Sequence, residues 1–132
     1  VWADLGRRLA AAALSGPDAE LKVPLNTCYV ASTDDESAAQ ALAALLNSSW
    51  LRHFASAMAP PAASGFHRFN ARVVEALPCP EAAWRDARLA SLAREASEGA
   101  DVQEALDARA ADLLGLAAEE RRALTDAPGH SR

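Results

Sequence analysis

At 132 residues, the chain is long enough for one domain with a core of its own. Its 51% apolar content excludes a disordered chain, and its net charge of −5 excludes a histone-like polycation. No apolar run approaches the roughly 20 residues that a membrane-crossing helix needs.

Alanine supplies about a quarter of the residues, isoleucine is absent and Lys22 is the single lysine. Such a composition favours helix. The start, Val1-Trp2-Ala3-Asp4, has neither an initiator Met nor the layout of a signal peptide, and reads as the interior of a longer chain. Cys28 and Cys79 lie far apart, with no CxxC and no histidine at ligand spacing. They read as free thiols in a cytoplasmic setting, without a metal site.

In chain order, Trp2, Leu5 and Leu9 recur at helical spacing until Gly16-Pro17, which predicts a helix over 1–14. Residues 23–30 combine β-formers with apolar residues and read as a strand. Asp34 to Ser37 offer caps for a long helix. In it Ala38, Leu42, Leu45, Leu46, Trp50, Phe54 and Met58 follow 3- and 4-residue steps to Pro60-Pro61, while Asn47, Ser48 and Arg52 lie opposite. Residues 59–65 read as a loop that delivers Phe66-His67-Arg68-Phe69-Asn70. Pro78-Cys79-Pro80 bars any continued element and divides an α+β body, residues 1–80, from a helical tail packed on it, residues 81–132. The tail divides into three helices: one marked by Trp84, Leu89 and Leu92 and ending near Gly99, one from the Asp101/Glu104 capping pair to Gly115, and one over 117–124. Pro128-Gly129-His130 reads as frayed.

Charge is unevenly spread. Residues 1–36 hold three bases and six acids, and residues 75–132 hold seven bases and twelve acids. Between Glu36 and Glu75 there is no acid, yet Arg52, Arg68, Arg72, His53 and His67 lie there. An acid-free basic window suits a local polyanion site. Arg68 and Asn70 have the donor forks that read guanine and adenine edges, and Asn47, Ser48, Arg52 and Arg72 could hold phosphates. The alternative is structural: Phe66 and Phe69 in the core, Arg68 paired with a distant acid and Asn70 capping a turn.

No catalytic constellation emerges. There is no Walker loop and no GxGxxG, and Asp34-Asp35-Glu36 is explained by a helix N-terminus.

Four segments, however, occur in a telling order: Pro24-Leu25-Asn26-Thr27-Cys28-Tyr29-Val30, Leu42-Ala43-Ala44-Leu45-Leu46-Asn47-Ser48, Gly65-Phe66-His67-Arg68-Phe69-Asn70 and Leu77-Pro78-Cys79-Pro80. With Leu106-Asp107-Ala108, Leu113-Leu114-Gly115-Leu116 and Glu119-Glu120, they resemble the C-terminal specificity region of Taq-type adenine DNA methyltransferases and of restriction–modification fusions built like them. The resemblance spans about residues 22–124. It implies a bacterial protein in which an N-terminal domain binds S-adenosylmethionine and methylates a flipped-out adenine, while the C-terminal region recognises the DNA target. The methylating loop of that family, Asn/Asp-Pro-Pro-aromatic, is not matched by Ala59-Pro60-Pro61-Ala62.

The expected fold is α+β and predominantly helical, with a small sheet from residues 23–31 and 66–77 on one long helix and a C-terminal helical tail. Expected core residues are Leu25, Tyr29, Leu42, Leu45, Leu46, Trp50, Phe54, Phe69, Leu77, Leu106 and Leu113. The expected function is that of a DNA-recognition fragment, not catalytic alone and without a cofactor of its own. It would partner double-stranded DNA and its own N-terminal catalytic domain, and no membrane. Candidate DNA contacts are Asn47, Ser48, Arg52, His53, His67, Arg68, Asn70 and Arg72. A helical interaction module without DNA contact is the alternative.

Overall fold

A computed structural model describes residues 1–20 and 22–125, and within them the fold is predominantly helical α+β. The expected frayed segment, 128–130, lies outside the described residues.

The N-terminus departs from its helical spacing. Residues 1–14 run extended, forming β1 (Trp2–Ala3) and β2 (Leu5–Gly6). Alanine-rich sequence prefers helix only weakly, and distant partners override it here. β1 pairs antiparallel with β3 (Cys28–Tyr29), Trp2 opposite Tyr29 and their rings stacked at 5.7 Å. β2 pairs antiparallel with β4 (His67–Arg68), Leu5 opposite Arg68. Trp2 Nε1 donates to the Phe69 carbonyl at 2.8 Å inside the core, an anchor that no local helix provides. A short helix, α1 (Pro17–Glu20), follows. The strand expected over 23–30 is confined to β3, and Leu25, a core expectation, is 73% exposed.

The expected long helix is two. Asp35 caps α2 (Glu36–Leu46), accepting from Ser37 N at 2.9 Å. Ser48, with the extended backbone of an N-cap, then starts α3 (Ser49–Met58) and accepts from Leu51 N at 3.3 Å. The 3- and 4-residue apolar steps cross this joint because both helices bury their stripe in one core. Short polar side chains at Asn47 and Ser48 offer the backbone an alternative to continued helix, which is where the break falls.

Residues 60–68 form a hairpin rather than an open loop. Arg68 N donates to Pro60 O at 3.0 Å and Ala62 N to Phe66 O at 2.7 Å, with Pro61 bridged to His67. Its tip, Ser64–Gly65, has φ of 59° and 75°, the double positive φ of a type I′ turn. Part of the sheet expected over 66–77 is instead α4 (Ala71–Glu75), capped by Asn70.

The C-terminal helices are α5 (Glu81–Trp84), α6 (Ala87–Ser97), α7 (Gln103–Leu113) and α8 (Ala118–Thr125). α2 packs chiefly on α6, so body and tail share one core. That core holds Leu45, Leu46, Trp50, Phe69, Leu77 and Leu106, with Tyr29, Leu42, Phe54 and Leu113 partly buried against it. Asp86 caps α6 through Leu89 N at 2.8 Å and takes an ion pair from Arg109 of α7. Among the described residues no helix is long and apolar enough to cross a membrane.

Candidate nucleic-acid interface

The acid-free window divides into an inner and an outer group. Asn47, Ser48 and Arg52 belong to the inner one. Ser48 is fully buried, its hydroxyl donating to Leu45 O at 2.7 Å. A phosphate cannot reach it without opening the α2–α3 joint. Asn47 clamps the extended N-terminal segment: Nδ2 donates to Ala11 O at 2.7 Å, and Oδ1 accepts from Ala11 N at 3.0 Å.

Arg52 extends the clamp. It donates to Leu9 O at 3.0 Å, to Gln103 Oε1 at 3.3 Å and to Asn47 Oδ1 at 3.2 Å. Burial, followed by the nearby positive charge of Arg8, pulls its guanidinium below the usual arginine range, partly offset by Asp107. Asp107 in turn accepts from Ser49 N at 2.7 Å and from Gln103 Nε2 at 3.0 Å. This network ties the N-terminal segment, the helix joint and α7 together. In this conformation Asn47, Ser48 and Arg52 spend their polar atoms on the chain itself.

The outer group surrounds the hairpin. Arg68 and Arg72 are exposed. Arg68 pairs with Asp4 at 2.6 Å, keeping other guanidinium donors. Asn70 is committed to its helix, with Oδ1 accepting from Val73 N at 3.1 Å. His67 turns its Nδ1 inward, where it is buried without a hydrogen-bond partner, its ring 6.1 Å from that of Phe69. His53 on α3 is half-buried and meets Phe54 edge-on at 6.3 Å. Phe69 is fully buried and Phe66 half-buried. Most of the structural alternative for this stretch is thus realised alongside the exposed arginines.

Sequence spacing missed two basic residues. A helix over 1–14 would place Arg7 and Arg8 on a solvated face remote from residue 66. The β2–β4 pairing instead lays Arg7 over Phe66, its guanidinium carbon 5.2 Å from the ring centroid. Both arginines are exposed. No local signal in the sequence points to this pairing, which joins Leu5 to Arg68 and Gly6 to His67.

Two concavities are lined by other parts of the chain, without a hairpin residue. One of about 370 Å³ is lined largely by apolar groups, including Trp2, Leu14, Val30, Leu42, Leu46 and Trp84. The other, of about 400 Å³, includes Gln40, Asn47, Arg52, Arg94 and Gln103. Among the described residues, no group of three or more His, Cys, Asp or Glu gathers in a way that could hold a metal ion. Both cysteines are free thiols, and burial pushes that of Cys79 up.

Compared with protein-family models, curated proteins and solved structures, the chain matches none.

Proposed function

We propose that this chain is the DNA-recognition portion of an adenine-specific, S-adenosylmethionine-dependent DNA methyltransferase of a restriction–modification system, cytoplasmic and not catalytic by itself. The reading is supported by the ordered sequence segments quoted above. The single structural observation that carries it is the exposure of three arginines around one hairpin: Arg68, which is paired with Asp4 and keeps other donors, Arg72, and Arg7 over Phe66. Guanidiniums on an exposed ribbon bind phosphate and contribute affinity whatever the base sequence. Cofactor binding and methyl transfer would belong to a catalytic domain outside this sequence, its second partner besides duplex DNA.

The test is titration of the chain into labelled duplex DNA at low and near-physiological salt. Binding should fall steeply with salt, by roughly one power of concentration per phosphate contact. Arg68→Glu with Arg72→Glu should abolish it. No binding at low salt overturns the reading.

A second reading, an interaction module without DNA contact, is favoured by one observation. Val23, Leu25 and Val30 stand exposed on one segment bordering the apolar concavity. Self-association insensitive to salt, without DNA binding, would support it.

A further inference from the structure

We propose that the hairpin of residues 60–68 is the element that enters the major groove of duplex DNA, with Arg7 and Arg68 set on the flanking phosphates. This rests on the DNA-recognition reading above and adds which element would do the reading.

The shape comes first. The major groove, about 12 Å wide, admits a two-stranded ribbon. This ribbon is thin near its tip: Pro60, Pro61, Ala63, Ser64 and Gly65 are all exposed, and the bulkiest side chains of the hairpin, Phe66, His67 and Arg68, lie on the returning arm. The tip can therefore approach base edges closely. Ser64 at the tip has a left-handed backbone, φ 59° and ψ 32°, and is exposed, and its hydroxyl can both donate and accept.

Charge follows shape. Arg68 lies at the base of the returning arm, fixed by Asp4 at 2.6 Å. Arg7 lies against the same arm, its guanidinium held over Phe66. A cation–π contact at this distance restrains the group while leaving its N–H donors available. A fixed guanidinium loses less entropy on meeting a phosphate than a free one. From residue 37 to residue 74 the chain contributes no carboxylate. Asp4, brought in by the β2–β4 pairing, offsets part of the Arg68 charge while leaving its other guanidinium donors for phosphate. Arg8 adds a further exposed positive charge near the half-buried Arg52.

The experiment uses the tip. Ser64→Asp puts a carboxylate there in a residue that tolerates the left-handed conformation, and Asp-Gly is a favoured type I′ pair, so the turn survives. Ser64→Asn makes the same turn without charge, and Ala105→Asp adds the same charge on exposed α7. Duplex affinity should fall about tenfold or more in Ser64→Asp and stay near that of the unsubstituted chain in the other two. Arg7→Gln should lower the salt slope by about one phosphate contact. The major-groove ligand methyl green should displace the protein, and the minor-groove ligand netropsin should not. Binding that Ser64→Asp weakens no more than Ala105→Asp overturns the proposal while leaving DNA recognition standing, as does displacement by netropsin alone. No binding by the unsubstituted chain overturns both.

Discussion

Arg52 Nε donates to the carbonyl oxygen of Leu9 at 3.0 Å, across 43 positions of sequence. Leu9 is fully buried, so this bond fixes the extended N-terminal segment where it enters the core. The arginine is therefore structural, and its substitution should reduce stability before it alters any ligand. Arg52→Ala strands Leu9 O and Gln103 Oε1 and removes one of the donors to Asn47, a loss of about 2–4 kcal/mol. Arg52→Lys should recover less than half, since an ammonium cannot reproduce three donors in a planar fork. Thermal melts of the two variants check this, and a midpoint within about 2 °C of the unsubstituted chain, about 0.5 kcal/mol or less, would refute it.

The hairpin tip stores strain that can be relieved. Ser64 is the one non-glycine residue with positive φ among those described. Asparagine enters that region far more readily, and Asn-Gly is the preferred type I′ pair. Ser64→Asn should therefore stabilise the chain by a few tenths to about 1 kcal/mol. Gly65→Val should do the reverse, since a β-branched residue at φ 75° is strained whatever the space around it. Thermal unfolding separates the two, with opposite shifts expected.

These cases show what could be read in advance. The helical character, the division of the tail near Gly99 and Gly115, and core residues such as Leu45, Trp50, Phe69 and Leu106 follow from local spacing and are present. The single helix expected through Trp84, Leu89 and Leu92, however, breaks at Arg85–Asp86, where Asp86 caps α6, and Val102 rather than the Asp101/Glu104 pair stands at the start of α7. Trp2, Leu5 and Leu9 have helical spacing yet sit in extended chain, because the pairing with Tyr29 and Arg68 decides their conformation and involves residues no local window contains. The break at Asn47–Ser48 did carry a local signal, two capping residues in mid-stripe, but the apolar steps on either side outweighed it. At the candidate interface, Arg68 and Arg72 were legible from charge spacing. Arg7 was not, and the inward commitments of Asn47, Ser48, Arg52 and Asn70 depend on partners fixed only by the fold.

Asp86 joins α6 to α7 and should govern behaviour in acid. The hydrogen bond from Arg109, above all, holds its carboxyl below the ordinary range, with Leu89 N adding to the effect. The same pair raises the Arg109 guanidinium. An unfolded chain would bind the Asp86 proton near the ordinary aspartate value of about 3.9, before the native state does. The contribution is therefore complete above about pH 4 and is lost as pH falls through the lower native value. Asp86→Asn keeps an N-cap acceptor while losing the charge, so its deficit should be largest near neutrality and shrink toward pH 3. Asp86→Ala loses the cap as well, about 1 kcal/mol more. Urea melts from pH 7 to pH 3 test the convergence of Asp86→Asn with the unsubstituted chain. A deficit that does not change with pH would mean that the charge pair contributes nothing.

Val23 and Leu25 test what the exposed segment is for. At 84% and 73% exposure they add almost nothing to the core of the isolated chain. Val23→Ser with Leu25→Ser should accordingly shift the unfolding free energy by no more than about 0.5 kcal/mol. Exposed apolar groups on a segment whose Pro24 and Val30 line a concavity of about 370 Å³ do, however, favour association. If the segment drives self-association, the double variant should remain monomeric at concentrations where the unsubstituted chain begins to dimerise, as sedimentation velocity would show. The contrast with Arg52 is physical: one change removes buried polar partners and costs stability, while the other removes wet apolar surface and costs only contacts between molecules. A large stability loss in Val23→Ser with Leu25→Ser would mean that residues 23–25 pack in solution and that the apolar surface bordering Trp84 is covered by the chain itself.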